Sequence, residues 1–311
     1  MAQPVAHAQP LGNGFDLERF APTPAGDRFD YVFEPLIRDE RCTAISCMGA
    51  LTSRLVIASD PLTLVLPAPQ GNTSVSASTV RLHWGAEFSV FRFLQFSVDV
   101  PVILYQGDLS ILPDGFQTPA GGTRVGASPS AFDIGDVRFG ARVACNPHDD
   151  LWSFGVQLLG AVPTGDHERL AGDPSARFES LAMVEFGKRL RTPVVITADA
   201  GLELRGTVTL ANDAVIGSGF EGGLAAAISL PHHPQYELVI EGRVDGLTPW
   251  HALSHANTGG MFSLGPRILF DDDRMWLQAE MGGGYGGPGV SESTGTISFT
   301  FEPWIPPAPT K

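Results

Sequence analysis

The residues with the most chemistry to offer in this 311-residue chain are arginines and carboxylates that alternate with apolar side chains. Arg54, Arg81, Arg138, Arg142, Arg177, Arg205, Arg243 and Arg267 stand at such positions. So do Glu87, Asp99, Asp136, Glu179, Glu185, Asp199, Glu203, Glu221, Glu237, Glu241, Asp245, Glu280 and Glu302. Arginine is a planar fork that can hold a carboxylate through two N–H donors at once. A set of this kind, with carboxylates in surplus, can cross-link into ladders that brace a narrow interior. It can also line a mildly cation-selective pore.

Catalytic and metal-binding arrangements are weaker. A hydrolase needs a nucleophile within reach of a histidine base. His83, His251 and His255 are the useful histidines, and no G-x-S-x-G motif accompanies them. His232-His233 lies in a Pro-bounded turn without a convincing third ligand, and Asp271-Asp272-Asp273 lacks the spacing of a Ca²⁺ loop and reads as a hydrated turn. The run Gly282 to Gly287 lacks the strand-to-helix setting and the Lys-Ser/Thr of a phosphate loop, and reads as a flexible external loop. No catalytic residue, metal or cofactor is expected. Cys42 and Cys47 are close enough to close a small disulfide loop in an oxidising compartment, whereas Cys145 falls in an alternating pattern and reads as a small apolar side chain.

What must position the charged residues is a sheet. Period-2 alternation recurs along most of the chain, as in Val80, Leu82, Trp84, Ala86, Phe88 and Val90 against Arg81, His83, Gly85, Glu87 and Ser89. Counting such runs, with a weaker first one at 47–58, gives about twelve strands. Charged residues make up only 17% of the chain, and lysine occurs only at Lys188 and Lys311. A surface facing water normally carries more charge than that. The net charge of -14 excludes nucleic acid as a partner, and no apolar run is long enough for a spanning helix.

Alternation alone also suits a soluble β-sandwich. Three features favour a barrel in a membrane. Many runs match the ~9–11 residues that cross a bilayer at a tilt. Short links near Arg92, 146–149, 190–192, 231–234 and 271–273 alternate with longer links at 59–75, 107–132, 163–175, 206–216, 246–258 and 284–294. Aromatic residues gather beside the short links, at Phe88, Trp152, Phe186, Tyr236, Phe270 and Phe301, with Phe178, Phe220 and Phe262 at the other strand ends. Short periplasmic turns, long external loops and two aromatic girdles are the outer-membrane pattern.

The expectation is therefore an all-β, closed, antiparallel, up-and-down transmembrane barrel over 47–303, in the outer membrane of a Gram-negative bacterium, with both termini periplasmic. Segment 1–46 precedes it, as a lumen plug, a segment along the periplasmic rim or a flexible lead. A Pro-rich tether, 304–311, follows. Outer-membrane lipid is the expected partner, with small solutes if the lumen is open. A surface receptor acting through the 107–132 loop and a soluble periplasmic β-protein are the alternatives.

Short motifs also resemble the N-terminal barrel domain of OmpA-family proteins of myxobacterial type. They are Phe15-Asp16-Leu17-Glu18-Arg19-Phe20-Ala21-Pro22, Ala25-Gly26-Asp27-Arg28-Phe29, the stretch Leu55 to Leu66 with Asp60-Pro61-Leu62 after the first strand, Asp133 to Arg138, and Val162-Pro163-Thr164-Gly165. The resemblance implies a structural or anchoring role, with a Ca²⁺-binding-repeat linker and a peptidoglycan-binding domain following the barrel. Neither lies in this sequence, which stops in the tether at Lys311, so the whole protein is expected to be longer.

Overall fold

A computed structural model of the chain describes residues 20, 22–25, 27–35, 47–68, 71–90, 93–106, 132–145, 151–165, 172–173, 175–187, 192–206, 208–209, 215–247, 258–270, 274–286 and 293–302, with 47–48, 60–68, 71–77, 208–209, 215–216 and 246–247 described by their backbone alone. The expected Cys42–Cys47 disulfide, His251, His255, Asp271 to Asp273, the 107–131 part of the longest link and the 304–311 tether lie outside them.

Twelve long strands follow one another: β1 (Cys47–Ala68), β2 (Gly71–Val90), β3 (Leu94–Gln106), β4 (Val137–Cys145), β5 (Trp152–Val162) and β6 (Arg177–Phe186). The second half continues with β7 (Val194–Leu204), β8 (Gly219–Leu230), β9 (His233–Leu247), β10 (Gly259–Phe270), β11 (Met275–Gly286) and β12 (Ser293–Phe301). Each pairs antiparallel with its neighbours in sequence, and β1 also pairs with β12, from Leu51↔Phe301 to Ser59↔Ser293. The sheet is thus a closed up-and-down barrel with no free edge along its body. Among the described residues there is no helix, and the backbone of the wall is paired from strand to strand all the way round, with local breaks at bulges such as the one between Ala58 and Leu62.

The pleat sorts the side chains as the alternation dictates. Arg81, His83, Glu87 and Ser89 of β2 are buried inside, while Trp84 and Phe88 are 57% and 45% exposed outside. The same holds on β5, where Phe154, Val156 and Leu158 face out and Ser153 and Gln157 are buried. All six residues of the expected girdle, Phe88, Trp152, Phe186, Tyr236, Phe270 and Phe301, are exposed outside. Trp152 packs its ring against Phe186 across the β5–β6 pair, with centroids 4.8 Å apart. An apolar surface that runs round the whole wall is out of place against water and suits lipid.

Two expectations about the longer links need correction. Residues 59–75 were expected to form a loop, but β1 and β2 continue through them and pair down to Ala68↔Gly71. The register shifts between Ala58 and Leu62, because Pro61 has no N–H to give the ladder and Asp60-Pro61 bulges out. The alternating, β-branched stretch beyond the bulge then resumes pairing. Asp60-Pro61-Leu62 therefore lies within the first strand and not after it.

The second correction concerns the glycine run. Gly282 to Gly286 belongs to β11 and pairs with β10, from Ser263↔Gly282 to Gly259↔Gly286. Glycines leave the room this tight pairing uses: a Cβ at Gly282 would strike the carbonyl oxygen of Phe262. Within the 206–216 link, Val208–Thr209 and Val215–Ile216 form a small two-stranded ribbon. At the opposite rim the link between β8 and β9 is only Pro231-His232, His232 taking φ 67°, and His233 and Pro234 already belong to β9.

Candidate functional site in the barrel interior

The inward positions hold the charged residues picked out above. Arg54, Arg81, Glu87, Asp99, Arg142, Arg177, Glu185, Asp199, Glu203, Glu221, Glu241, Arg243, Arg267 and Glu280 are all buried. Arg138, Glu179 and Arg205 lie on the same inner face and are slightly more open. What they meet is largely the N-terminal segment. Its described residues, from Phe20 to Pro35, are buried throughout.

This segment has no regular secondary structure, so its backbone needs partners from elsewhere. Part comes from within: Thr23 N–H donates to the Asp30 carbonyl at 2.9 Å, and Arg28 donates from N–H and Nε to the two oxygens of Glu34 at 2.8 and 2.6 Å. The barrel wall supplies the rest. Glu241 of β9 accepts the N–H groups of Asp30, Tyr31 and Val32 at 2.7, 2.7 and 3.0 Å, and Asp199 of β7 accepts that of Phe33 at 2.8 Å. Carbonyls are met by guanidinium groups: Thr23 by Arg54 at 2.8 Å, Pro22 by Arg138 at 2.9 Å and Tyr31 by Arg243 at 3.1 Å. The polar wall is thus complementary, donor for acceptor, to an irregular chain lying across it.

Side-chain ion pairs add direction. Asp27 receives both Nη groups of Arg142 (β4) at 2.6 and 2.7 Å. Asp30 pairs with Arg54 (β1) at 2.7 Å, and Arg28 with Glu185 (β6). Tyr31 reaches β12 through a 2.8 Å hydroxyl contact with Thr296. Contacts to β1, β4, β6, β7, β9 and β12 place the segment across the lumen.

Apolar seats complete the fit. Phe29 and Val32 pack with Ala225, Ala227 and Val239, and Phe33 packs with Leu159, Leu181 and Met183. The Arg243 and Arg267 guanidinium groups lie over the Phe33 and Phe29 rings, 4.9 and 5.5 Å from their centroids. Close approach is allowed by inward glycines. A Cβ on Gly85 would come within 3.0 Å of Ala25 Cβ, and one on Gly155 within 3.0 Å of Pro35 Cβ.

These apolar seats on the wall are what sequence reasoning missed. The signal was present: Leu181 and Met183 interrupt a face otherwise carrying Arg177, Glu179 and Glu185, and an apolar pair facing a polar lumen needs an apolar guest. His83 is committed to Asp99 at 3.0 Å, and Asp99 also receives Arg138 at 2.7 Å. The wall also braces itself. Arg267 bridges Glu237 at 2.8 Å and Gln278 at 2.6 Å, and Ser263 and Gln278 both donate to Glu280.

Charge is densest at the rim of the longer links, where β6 begins, β7 ends, β8 begins and β9 ends. There each arginine serves two carboxylates. Arg177 meets Glu179 at 3.1 Å and Glu203 at 3.5 Å; Arg205 meets Asp173 at 2.6 Å and Glu203 at 3.4 Å; Arg243 meets Asp199 at 3.1 Å and also Glu221. Asp245 adds a further buried carboxylate. Among the described residues no group of His, Cys, Asp or Glu could hold a metal ion.

With this geometry in view, solved structures give the fold its company. An outer membrane channel from Pseudomonas putida F1 matches over 86% of this chain and 98% of its own, with a TM-score of 0.53 and 11% identity. The NanC porin matches over 81% of this chain and 100% of its own, with a TM-score of 0.51 and 8% identity. At such identities the likeness is one of fold: this is the barrel architecture of outer-membrane channels. No protein-family model matches the sequence and no curated protein does, so the OmpA-type resemblance of the short motifs finds no further support.

Proposed function

We propose that the chain is an outer-membrane channel whose lumen is closed by its own N-terminal segment, and which passes small solutes, cations in preference, when that segment is withdrawn. The observation that supports this most is how the segment is held: largely by ion pairs and hydrogen bonds to a polar lumen wall, with apolar seats for Phe29, Tyr31, Val32 and Phe33. A wall meant only to be filled would be served better by apolar packing, since buried ion pairs contribute little net stability over it. Lipid around the wall and a short-turn rim in the periplasm, with both termini on that side, belong to the same reading.

Planar-bilayer recording tests it. The full chain should be silent or nearly so, and a variant lacking residues 20–35 should show discrete conductance steps while keeping the heat-modifiable gel migration of a folded barrel. A folded deletion variant that conducts no more than the parent would sink the channel reading. It would favour a purely structural barrel of the anchoring kind that the OmpA-type motifs imply.

A further inference from the structure

The wall holds the N-terminal segment to a large extent by its main chain. Glu241 takes three successive N–H groups and Asp199 takes that of Phe33. Arg54, Arg138 and Arg243 donate to the carbonyls of Thr23, Pro22 and Tyr31, and Thr197 Oγ1 donates to that of Phe33 at 3.3 Å. A helix would satisfy its own N–H and carbonyl groups and need none of this. Here the wall supplies the partners that an irregular chain lacks. Main-chain groups carry no sequence information, so another polypeptide laid along the same path offers the same contacts.

Two apolar seats add selection. Phe29 packs, beside Val32, against Ala225, Ala227 and Val239 of β8 and β9, and Phe33 packs against Leu159, Leu181 and Met183 of β5 and β6. The two rings stand four residues apart in the sequence, each with an arginine over its face. We propose that the lumen is a binding site for short, non-helical peptides with two aromatic side chains four residues apart, and that the N-terminal segment is the built-in occupant such a peptide replaces. This rests on the reading that the segment can be withdrawn, and it names a class of solute then admitted.

Fluorescence anisotropy of labelled peptides with the detergent-solubilised chain tests the proposal. The host is the full chain carrying Asp27→Ala, Phe29→Ala, Asp30→Ala and Phe33→Ala. These changes leave the wall untouched and take from the segment two rings and the acids that pair with Arg142 and Arg54. The 20–35 deletion variant is a second host, and heat-modifiable migration shows whether each is folded. One probe is a peptide of residues 20–35. The other is a capped Gly/Ser peptide, otherwise unrelated, with two phenylalanines four residues apart. Both should bind saturably to a folded host, and about tenfold or more weakly to the parent chain, whose seats are filled. Alanine in place of both phenylalanines should weaken binding of the Gly/Ser probe by about tenfold or more. N-methylation of the 20–35 probe at Asp30, Tyr31 and Val32 removes the N–H groups given to Glu241, and should weaken its binding on the same scale. The proposal is overturned by no saturable binding to a folded host, by binding of the 20–35 peptide alone, or by affinity that survives loss of the rings or of the N–H groups. Conductance of the deletion variant is a separate readout. Peptide binding without current removes the channel reading alone, and current without peptide binding removes this proposal alone.

Discussion

At the scale of single residues, the ion pair of Arg142 with Asp27 shows what a polar lumen does for an inserted chain. Arg142 gives two N–H bonds to Asp27 and two more to Gln157, all out of contact with water. Replacing Arg142 by leucine leaves the Asp27 carboxylate buried against an apolar side chain, at a cost of about 3–5 kcal/mol. Loss of both partners should cost much less, because no charge is stranded. Denaturant titrations of Arg142→Leu, Asp27→Leu and the double variant would measure this, and additive single effects would refute it. Glu241→Gln makes a narrower test. An amide in that place turns a donor toward the N–H groups of Asp30, Tyr31 and Val32, so one or two lose their acceptor. Hydrogen exchange of those three amides should speed up by tenfold or more while strand amides hold. Equal rates in parent and variant would mean the carboxylate is not what fixes the segment.

At the scale of elements, segment and wall can be separated by one substitution. Gly85 of β2 faces inward, and an added Cβ would meet Ala25 Cβ at 3.0 Å and Ala25 N at 3.3 Å. Valine suits a strand and should not harm the β2 pairings, yet its methyl groups need the space the segment fills. Gly85→Val is therefore expected to keep heat-modifiable migration and to open residues 20–35 to added protease, at least tenfold faster than in the parent. A protease-resistant variant would show that the segment adjusts in place. These elements were unequally legible beforehand. The strands were plain from alternation, since a pleat turns sequence period directly into inside and outside, as Arg81, His83 and Glu87 against Trp84 and Phe88 illustrate. The hairpin beyond Ala58 was missed because Asp60-Pro61 looks like an end to a strand, when here it is a bulge within one. Gly282 to Gly286 was misread because a glycine run carries no pattern, and only the close approach of β10 explains it. The hold on the N-terminal segment was illegible for another reason: it rests on pairs such as Arg142–Asp27 and Glu241–Tyr31, more than a hundred residues apart. Nothing local in either stretch predicts them.

At the scale of the whole molecule, the question is which ions an open lumen would prefer. Carboxylates outnumber arginines on the inner wall, most heavily at the rim where Asp173, Glu179, Asp199, Glu203, Glu221 and Asp245 lie beside Arg177, Arg205 and Arg243, each of which serves two of them. The described part of the segment is itself acidic, with Asp27, Asp30 and Glu34 against Arg28. Withdrawing it therefore removes some negative charge, but frees the Glu241, Asp199 and Glu185 carboxylates from the groups they now hold. It also frees Arg54 and Arg142, which lose Asp30 and Asp27. The wall that remains keeps its acidic surplus, now facing water, and a narrow low-dielectric tube concentrates that field. Cations should then be favoured over anions, and added salt should weaken the preference as the Debye length falls from about 10 Å at 0.1 M toward about 3 Å at 1 M. Reversal potentials of the 20–35 deletion variant in a KCl gradient provide the measurement. The sign should correspond to K⁺ over Cl⁻, the ratio should shrink as both baths are raised in salt, and Glu203→Gln with Glu221→Gln should shrink it further. A reversal potential of the anion-selective sign would mean that the arginines, and not the carboxylates, govern the open path.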